Sequence, residues 1–164
     1  MFIYFLIAAA LTGADQLLKH WTVTHLALGQ SAPLWPGVIQ LTRLHNDGAA
    51  WSSFSGKTAL LLIVTVALIA AVTVLLVKKI VRHPLGVAAG LLIWSGGVGN
   101  MIDRILLGYV VDMFDLQFMN YPIFNLADCF VVVGALSGAV YYLWFYEKYD
   151  KRQKGDETDT ASHK

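Results

Sequence analysis

Apolar residues gather along this chain in four long blocks with short polar interruptions, and that pattern sets the architecture before any single residue is weighed. A helix needs about 20 mainly apolar residues to cross the roughly 30 Å hydrocarbon core of a bilayer. Met1 to about Lys19, Thr58 to Val77, Pro84 to about Ile105, and Ile123 to Tyr146 meet that requirement. The first block is rich in small residues at Ala8-Ala9-Ala10, as a cleaved secretory signal would be. However, no Lys or Arg precedes it and Asp15 and Lys19 follow at once, which favours a retained span. Between the first two blocks, Val38-Ile39-Gln40-Leu41-Thr42-Arg43-Leu44 alternates apolar and polar residues after Pro33, Pro36 and Gly37, the signature of a strand. The stretch Gly108 to Pro122 carries Tyr109, Phe114, Phe118 and Tyr121, aromatics that suit a membrane–water interface. The predicted fold is a polytopic α-helical membrane protein with four transmembrane helices and a small extracytoplasmic β-sheet. Residues 1–150 form one membrane domain with extracytoplasmic loops at about 26–57 and 108–122, and residues 151–164 form a polar cytoplasmic tail.

Cations orient the bundle. Lys78, Lys79 and Arg82 crowd the second inter-block loop and Lys148, Lys151, Arg152 and Lys154 follow the fourth block, whereas Lys19, Arg43, Lys57 and Arg104 fall on the other side. The positive-inside rule then puts both termini in the cytoplasm. Hydrophobic residues make up 57% of the chain and charged residues 14%, against about 25% charged in an average globular domain. So apolar a chain needs lipid to cover its outward faces. A net charge of +1 gives no reason to expect a nucleic-acid partner, and the single cysteine, Cys129, excludes an internal disulfide or a cysteine-based structural metal site.

The carboxylates are unevenly placed. Before Glu147 the acids are Asp15, Asp47, Asp103, Asp112, Asp115 and Asp128, all on the outer half under this orientation. At about 1.5 Å of rise per residue, Asp15 and Asp103 come near the outer ends of ascending helices, and Asp128 lies about one to two turns into a descending one. An ionisable group at the centre of a span costs about 2.5–3.5 kcal/mol on insertion scales, so it is either paired or functional. Asp15 has Lys19 four residues along the same face, which suits a structural ion pair as well as a substrate contact. Asp103 and Asp128 each end the pattern Asn-x-x-Asp, from Asn100 and Asn125. A spacing of three puts amide and carboxylate on one helix face, so each Asp has a hydrogen-bond partner to hand.

Two helices offering the same pair at one depth point to a paired-carboxylate site. Two close carboxylates cannot both ionise, so one keeps its proton near neutral pH. The ionised one can take a proton from water while the protonated one polarises a scissile carbonyl, without metal or cofactor. Other chemistries fit less well. Ser52, Ser53 or Ser55 with Lys57 would make a Ser–Lys dyad, but loop hydroxyls commonly serve turns. His20, His25, His45, His83 and His163 lack metal-ligand spacing. Gly86, Gly90, Gly96, Gly97 and Gly99 read as helix-packing positions. A cation relay through Asp15, Asp103 and Asp128 would have no polar stepping stones in the inner half, and a purely scaffolding bundle leaves the two Asn-x-x-Asp motifs unexplained.

Five segments in order carry a family resemblance. They are Asp15-Gln16-Leu17-Leu18-Lys19, Asn46-Asp47-Gly48-Ala49-Ala50-Trp51, Gly96-Gly97-Val98-Gly99-Asn100-Met101-Ile102-Asp103-Arg104, Val110-Val111-Asp112, and Phe124-Asn125-Leu126-Ala127-Asp128. With them the chain resembles the bacterial lipoprotein signal peptidases along nearly its whole length. The resemblance implies a multi-pass aspartic endopeptidase of the bacterial cytoplasmic membrane, with its site toward the outer face. It would remove signal peptides from prolipoproteins on the N-terminal side of a diacylglyceryl-modified cysteine, within membrane lipid, as a monomer. Asp103 and Asp128 match the catalytic dyad in this reading. Asp15, Lys19, Asn100, Arg104, Asp112, Asn125 and Ala127 support the site or contact substrate, and Asn46, Gly48 and Trp51 belong to an outer loop that closes over it. The chain departs from the family pattern at Ser52, Met113 and Cys129.

Overall fold

The computed structural model describes residues 2–48 and 56–151. Trp51, the hydroxyls of Ser52, Ser53 and Ser55, and most of the polar tail lie outside the described residues.

Four helices are long and apolar enough to cross a membrane, namely α1 (Phe2–His25), α2 (Thr58–Val77), α3 (Pro84–Leu106) and α4 (Leu126–Trp144). The first runs past Lys19, where its apolar block ends, because nothing in the following turn breaks a helix. Thr22 and Thr24 there donate their hydroxyls back to the carbonyls of Leu18 and His20. This polar extension becomes the platform for the sheet. Helix α2 fully buries only Val72, and although Leu76 packs on the Ala8, Val87 and Leu91 cluster, most of its apolar side chains are left for lipid. Helix α3 starts at Pro84, whose missing N–H costs nothing in a first turn. His83 caps it by accepting the Leu85 N–H.

Helix α3 is the middle of the bundle and packs against α1, α2 and α4. It buries Gly86, Val87, Ala89, Leu91, Ser95, Gly96, Gly97, Gly99 and Asp103. Its contact with α4 is close enough that a Cβ on Gly96 would collide with the Ala127 carbonyl, and one on Gly134 would lie 2.8 Å from Ile93 Cγ1. Without a hydrophobic drive between helices in lipid, such close backbone approach is what holds them together.

Three antiparallel strands, β1 (Ser31–Trp35), β2 (Ile39–Asn46) and β3 (Val110–Leu116), form a sheet in the order β1-β2-β3. Gly37, with φ of 75°, makes the turn between the first two. The third strand comes from the stretch expected only to carry interfacial aromatics. Asn46 pairs with Val110 and Gln40 with Asp115, with a register shift between Leu41 and Leu44. Leu26, Leu41, Val111 and Met113 form a buried cluster against Leu18 and Val23, seating the sheet on the end of α1. Arg43 strengthens the joint by donating to the Val23 and Leu26 carbonyls at 3.1 and 3.0 Å, groups a helix end leaves unpaired. At the opposite end of the bundle, a π-helical turn (Tyr146–Lys151) brings in buried Asp150, which accepts from the Tyr141 hydroxyl and the Arg82 N–H.

Candidate active site

Helix α4 begins with a reciprocal cap. The Asn125 side chain accepts the Asp128 N–H at 2.9 Å, and the Asp128 carboxylate accepts the Asn125 N–H at 3.2 Å. This capping box satisfies two N–H groups that a helix start leaves free. Asp128 therefore stands in the first turn of α4, not one to two turns inside it. The second Asn-x-x-Asp behaves differently. Asn100 donates to Asp128 at 2.8 Å, on another helix, and the bonds to Asp103 come from elsewhere. Gln16 Nε2 donates to Asp103 Oδ1 at 2.9 Å, and the Val111 N–H donates to Oδ2 at 3.0 Å. Equal sequence spacing thus hides two unlike structures.

Lys19 collects the buried charge at the sheet end of α1. Its ammonium lies 3.0 Å from Asp15 Oδ2 and 3.0 Å from Asp103 Oδ2, and donates to Asn100 Oδ1 at 2.9 Å. Three N–H donors meet three acceptors. Relative exposure is 0% for Asp15 and 3% for both Lys19 and Asp103, so this cluster is buried. Asp15 also accepts the Ala127 N–H at 2.9 Å, tying α1 to the start of α4. Gly99 makes room for it, because a Cβ there would lie 2.6 Å from Asp15 Oδ2.

Asp112, on β3, faces a different neighbourhood. It accepts from Asn125 Nδ2 at 2.7 Å and from Asn46 Nδ2 at 2.9 Å. Both donors are neutral amides. Arg104 is close enough to feel Asp128 and Asp112, yet it donates to the Gly48 carbonyl at 2.9 Å. A cavity of about 310 Å³ opens beside these groups, lined by Asn46, Asn100, Arg104, Asp112 and Asp128 together with apolar residues including Leu68, Ile123, Val131 and Val132. Asp103 lines a separate cavity of about 220 Å³ on the α1 side, with Gln16, Lys19 and His20. Among the described lining residues, Asp112 and Asp128 are the carboxylates that share the larger cavity.

Burial, and after it the charge on Asp128, push the Asp112 carboxyl up to about 7, against the opposing effects of Asn46, Asn125 and Lys19. One cavity therefore holds a carboxyl that keeps its proton into the neutral range beside a second carboxyl. Among the described residues no group of three His, Cys, Asp or Glu side chains has a geometry for holding a metal ion.

Asp15, Lys19, Asn46, Gly48, Asn100, Arg104, Asp112, Asn125, Ala127 and Asp128 converge where α1, α3 and α4 meet the sheet. Trp51 is outside the described residues. Asp103 joins the convergence from behind Lys19 and not from the shared cavity. Gln16, absent from the expected set, belongs to it through Asp103 and the Gly99 carbonyl at 3.1 Å. Its place beside Asp15 in the first matching segment was the available signal.

The family model for signal peptidase II matches residues 7–145. The lipoprotein signal peptidase of Enterococcus faecalis is 42% identical over 144 residues, 86% of this chain and 88% of that protein. That of Lactococcus lactis is 46% identical over 121 residues, 74% of this chain and 80% of that protein. A solved bacterial membrane enzyme superposes with a TM-score of 0.83 at 31% identity, covering 87% of this chain and 88% of that one.

Proposed function

The chain belongs to the signal peptidase II family, and on that premise we propose that it is an aspartic endopeptidase cutting the signal peptide from prolipoproteins within the membrane. The observation that carries the mechanism is the shared cavity of Asp112 and Asp128, with the Asp112 carboxyl held near 7. This pairing replaces the expected one of Asp103 with Asp128. Asp103 has both carboxylate oxygens engaged, by Gln16 on one side and by Lys19 and the Val111 N–H on the other, and it faces the other cavity. A carboxylate ion-paired with a lysine at 3.0 Å and turned to another cavity is poorly placed to act with Asp128 on one substrate. It is assigned to supporting the site.

In the proposed reaction Asp128, held by N–H donors from Asn100 and Asn125, takes a proton from water as the water attacks the scissile carbonyl. Asp112 gives its proton to the carbonyl oxygen as the tetrahedral intermediate forms. Collapse of that intermediate returns a proton from the pair to the departing amine, releasing signal peptide and mature chain. The apolar wall of the cavity, from α2 and α4, suits a substrate that arrives as a membrane helix. Acyl chains on the substrate cysteine would fix its depth, since each buried methylene contributes about 0.8 kcal/mol. The distribution of Lys and Arg supports cytoplasmic termini, with the sheet and the pair toward the outer face. The test uses purified protein in lipid with a diacylglyceryl-modified precursor, following release of the signal peptide. Asp112→Asn and Asp128→Asn should each abolish release in folded protein, whereas Asp103→Asn should leave measurable turnover. A folded Asp112→Asn variant cleaving at the normal rate would refute the pairing.

A further inference from the structure

Asparagine 100 has an amide whose two ends do different work. Its Oδ1 accepts from Lys19 Nζ at 2.9 Å and from Asn125 Nδ2 at 3.1 Å, while its Nδ2 donates to Asp128 at 2.8 Å. Rotating that amide by half a turn would aim its NH₂ at an ammonium and at a second NH₂, and its oxygen at a carboxylate. Each of those contacts is repulsive, and the group is half-buried. One orientation is therefore imposed, and the strongest element imposing it is the only charged donor, Lys19.

The constraint passes onward. With Asn100 Oδ1 fixed, it draws Asn125 Nδ2, whose other contact is Asp112 at 2.7 Å, while Asn125 Oδ1 is held by the Asp128 N–H. Asp128 thus receives an N–H donor whose direction traces back to one ammonium on α1, and the Asn125 amide that serves Asp112, already set by the cap of α4, is held by the same Asn100 oxygen. Lys19 reaches neither Asp112 nor Asp128 by a hydrogen bond of its own.

We infer that Lys19 is a positioning residue for the reaction, acting through Asn100 to lock the amides that orient Asp128 and Asp112. The inference rests on the assignment of the pair proposed above. It gives the Asp15–Lys19–Asp103 cluster a task beyond joining helices. Asp15 and the side-chain oxygen of residue 103, which an asparagine there would keep, hold the ammonium where its third N–H meets Asn100.

Lys19→Met alone would strand two buried carboxylates, so the test is run in an Asp103→Asn background, where removing Lys19 leaves one fewer uncompensated charge. Four proteins in lipid are compared on the modified precursor: the background, and the background with Lys19→Met, with Asn100→Ala, and with both. Lys19→Met and Asn100→Ala should each lower kcat by about 100-fold, the loss expected when reacting groups are misplaced, with KM within about twofold. The combination should be no worse than Asn100→Ala within about threefold, because the lysine has no route left to act through. Multiplied losses of roughly 10⁴-fold, or a change confined to KM or to thermal stability, would overturn the inference. A second readout is independent of turnover. The side-chain amide protons of Asn100, followed by NMR in the full-length protein, should be slow to exchange in the parent and fast after Lys19→Met, and unchanged exchange would equally overturn it. Failure of the pair itself is distinguishable, since it would show as an active Asp112→Asn variant whatever the lysine does.

Discussion

Two pairs of carboxylates lie close together at the sheet end of the bundle, and their surroundings set them apart. Asp15 and Asp103 share Lys19, each at 3.0 Å, in a cluster at most 3% exposed. Asp112 and Asp128 are held by neutral amides from Asn46, Asn100 and Asn125, and they border a cavity of about 310 Å³. The first pair is ion-paired and buried, which suits joining α1 to α3 and α4. The second has no bonded cation among the described residues and borders an open cavity, and burial, followed by the charge on Asp128, pushes the Asp112 carboxyl up to about 7. Placement of a single ammonium thus separates an ion-paired set of carboxylates from the pair proposed to react.

The largest expected contrast is in turnover. Asp112→Asn or Asp128→Asn should cut kcat by about 10⁴-fold or more, since amides cannot exchange the proton that acid–base catalysis moves. Thermal unfolding should be unchanged or slightly later, because Asp112→Asn replaces a carboxyl that holds its proton into the neutral range and Asp128→Asn removes the half-buried charge beside it. Signal-peptide release and unfolding measured on the same preparations check this. Parallel losses of activity and stability would make the second pair structural too.

Next in size is the effect of opening the closed pair. Lys19→Met leaves Asp15 and Asp103 buried without their cation, which should cost about 3–5 kcal/mol of stability by denaturant or thermal unfolding in detergent. A loss below 1 kcal/mol, on the order expected of an exposed ion pair, would mean that water reaches this cluster. Smaller again is Gly99→Ala, whose Cβ would lie 2.6 Å from Asp15 Oδ2 and push it off the Ala127 N–H. Overpacking of this kind costs about 1–3 kcal/mol. The shift of the α4 start should also slow cleavage, unlike Gly13→Ala, where an added Cβ meets nothing within 4 Å.

The smallest effect concerns pH. Asp112 is raised from 3.8 to about 7, so the protonated acid is lost as pH rises through that value, and kcat/KM should fall along an alkaline limb near it. The same sign holds for stability, which declines from about pH 4 to 7 as the unfolded chain, binding fewer protons, is favoured. The Asn46 bond favours the carboxylate, so Asn46→Ala should move the limb to higher pH, by about one unit or less. A limb that moved down, or stayed still, would detach Asp112 from the rate.

Hydropathy alone determined the four spans, and for α2 it did so to the residue, because lipid-facing side chains need no partner elsewhere in the chain. It also showed that acids gather at one end and that β2 alternates. The extent of α1 beyond Lys19 was not legible, since a polar helix end resembles a loop until a sheet is seated on it. Strand β3 was missed for a related reason. Its Val110, Val111, Asp112 and Met113 are buried in succession and do not alternate, and they are strand residues only because β2 lies beside them. The proposed pairing of the aspartates rests on tertiary structure. Asn100–Asp103 and Asn125–Asp128 are identical in spacing, but a shared helix face requires both residues to be inside a helix, and Asn125 caps one instead. The bonds that sort the acids, from Gln16 to Asp103 across 87 positions and from Asn46 to Asp112 across 66, join elements that only packing brings together. Sequence spacing can say which acids share a depth, but which of them are ion-paired depends on where Lys19 points.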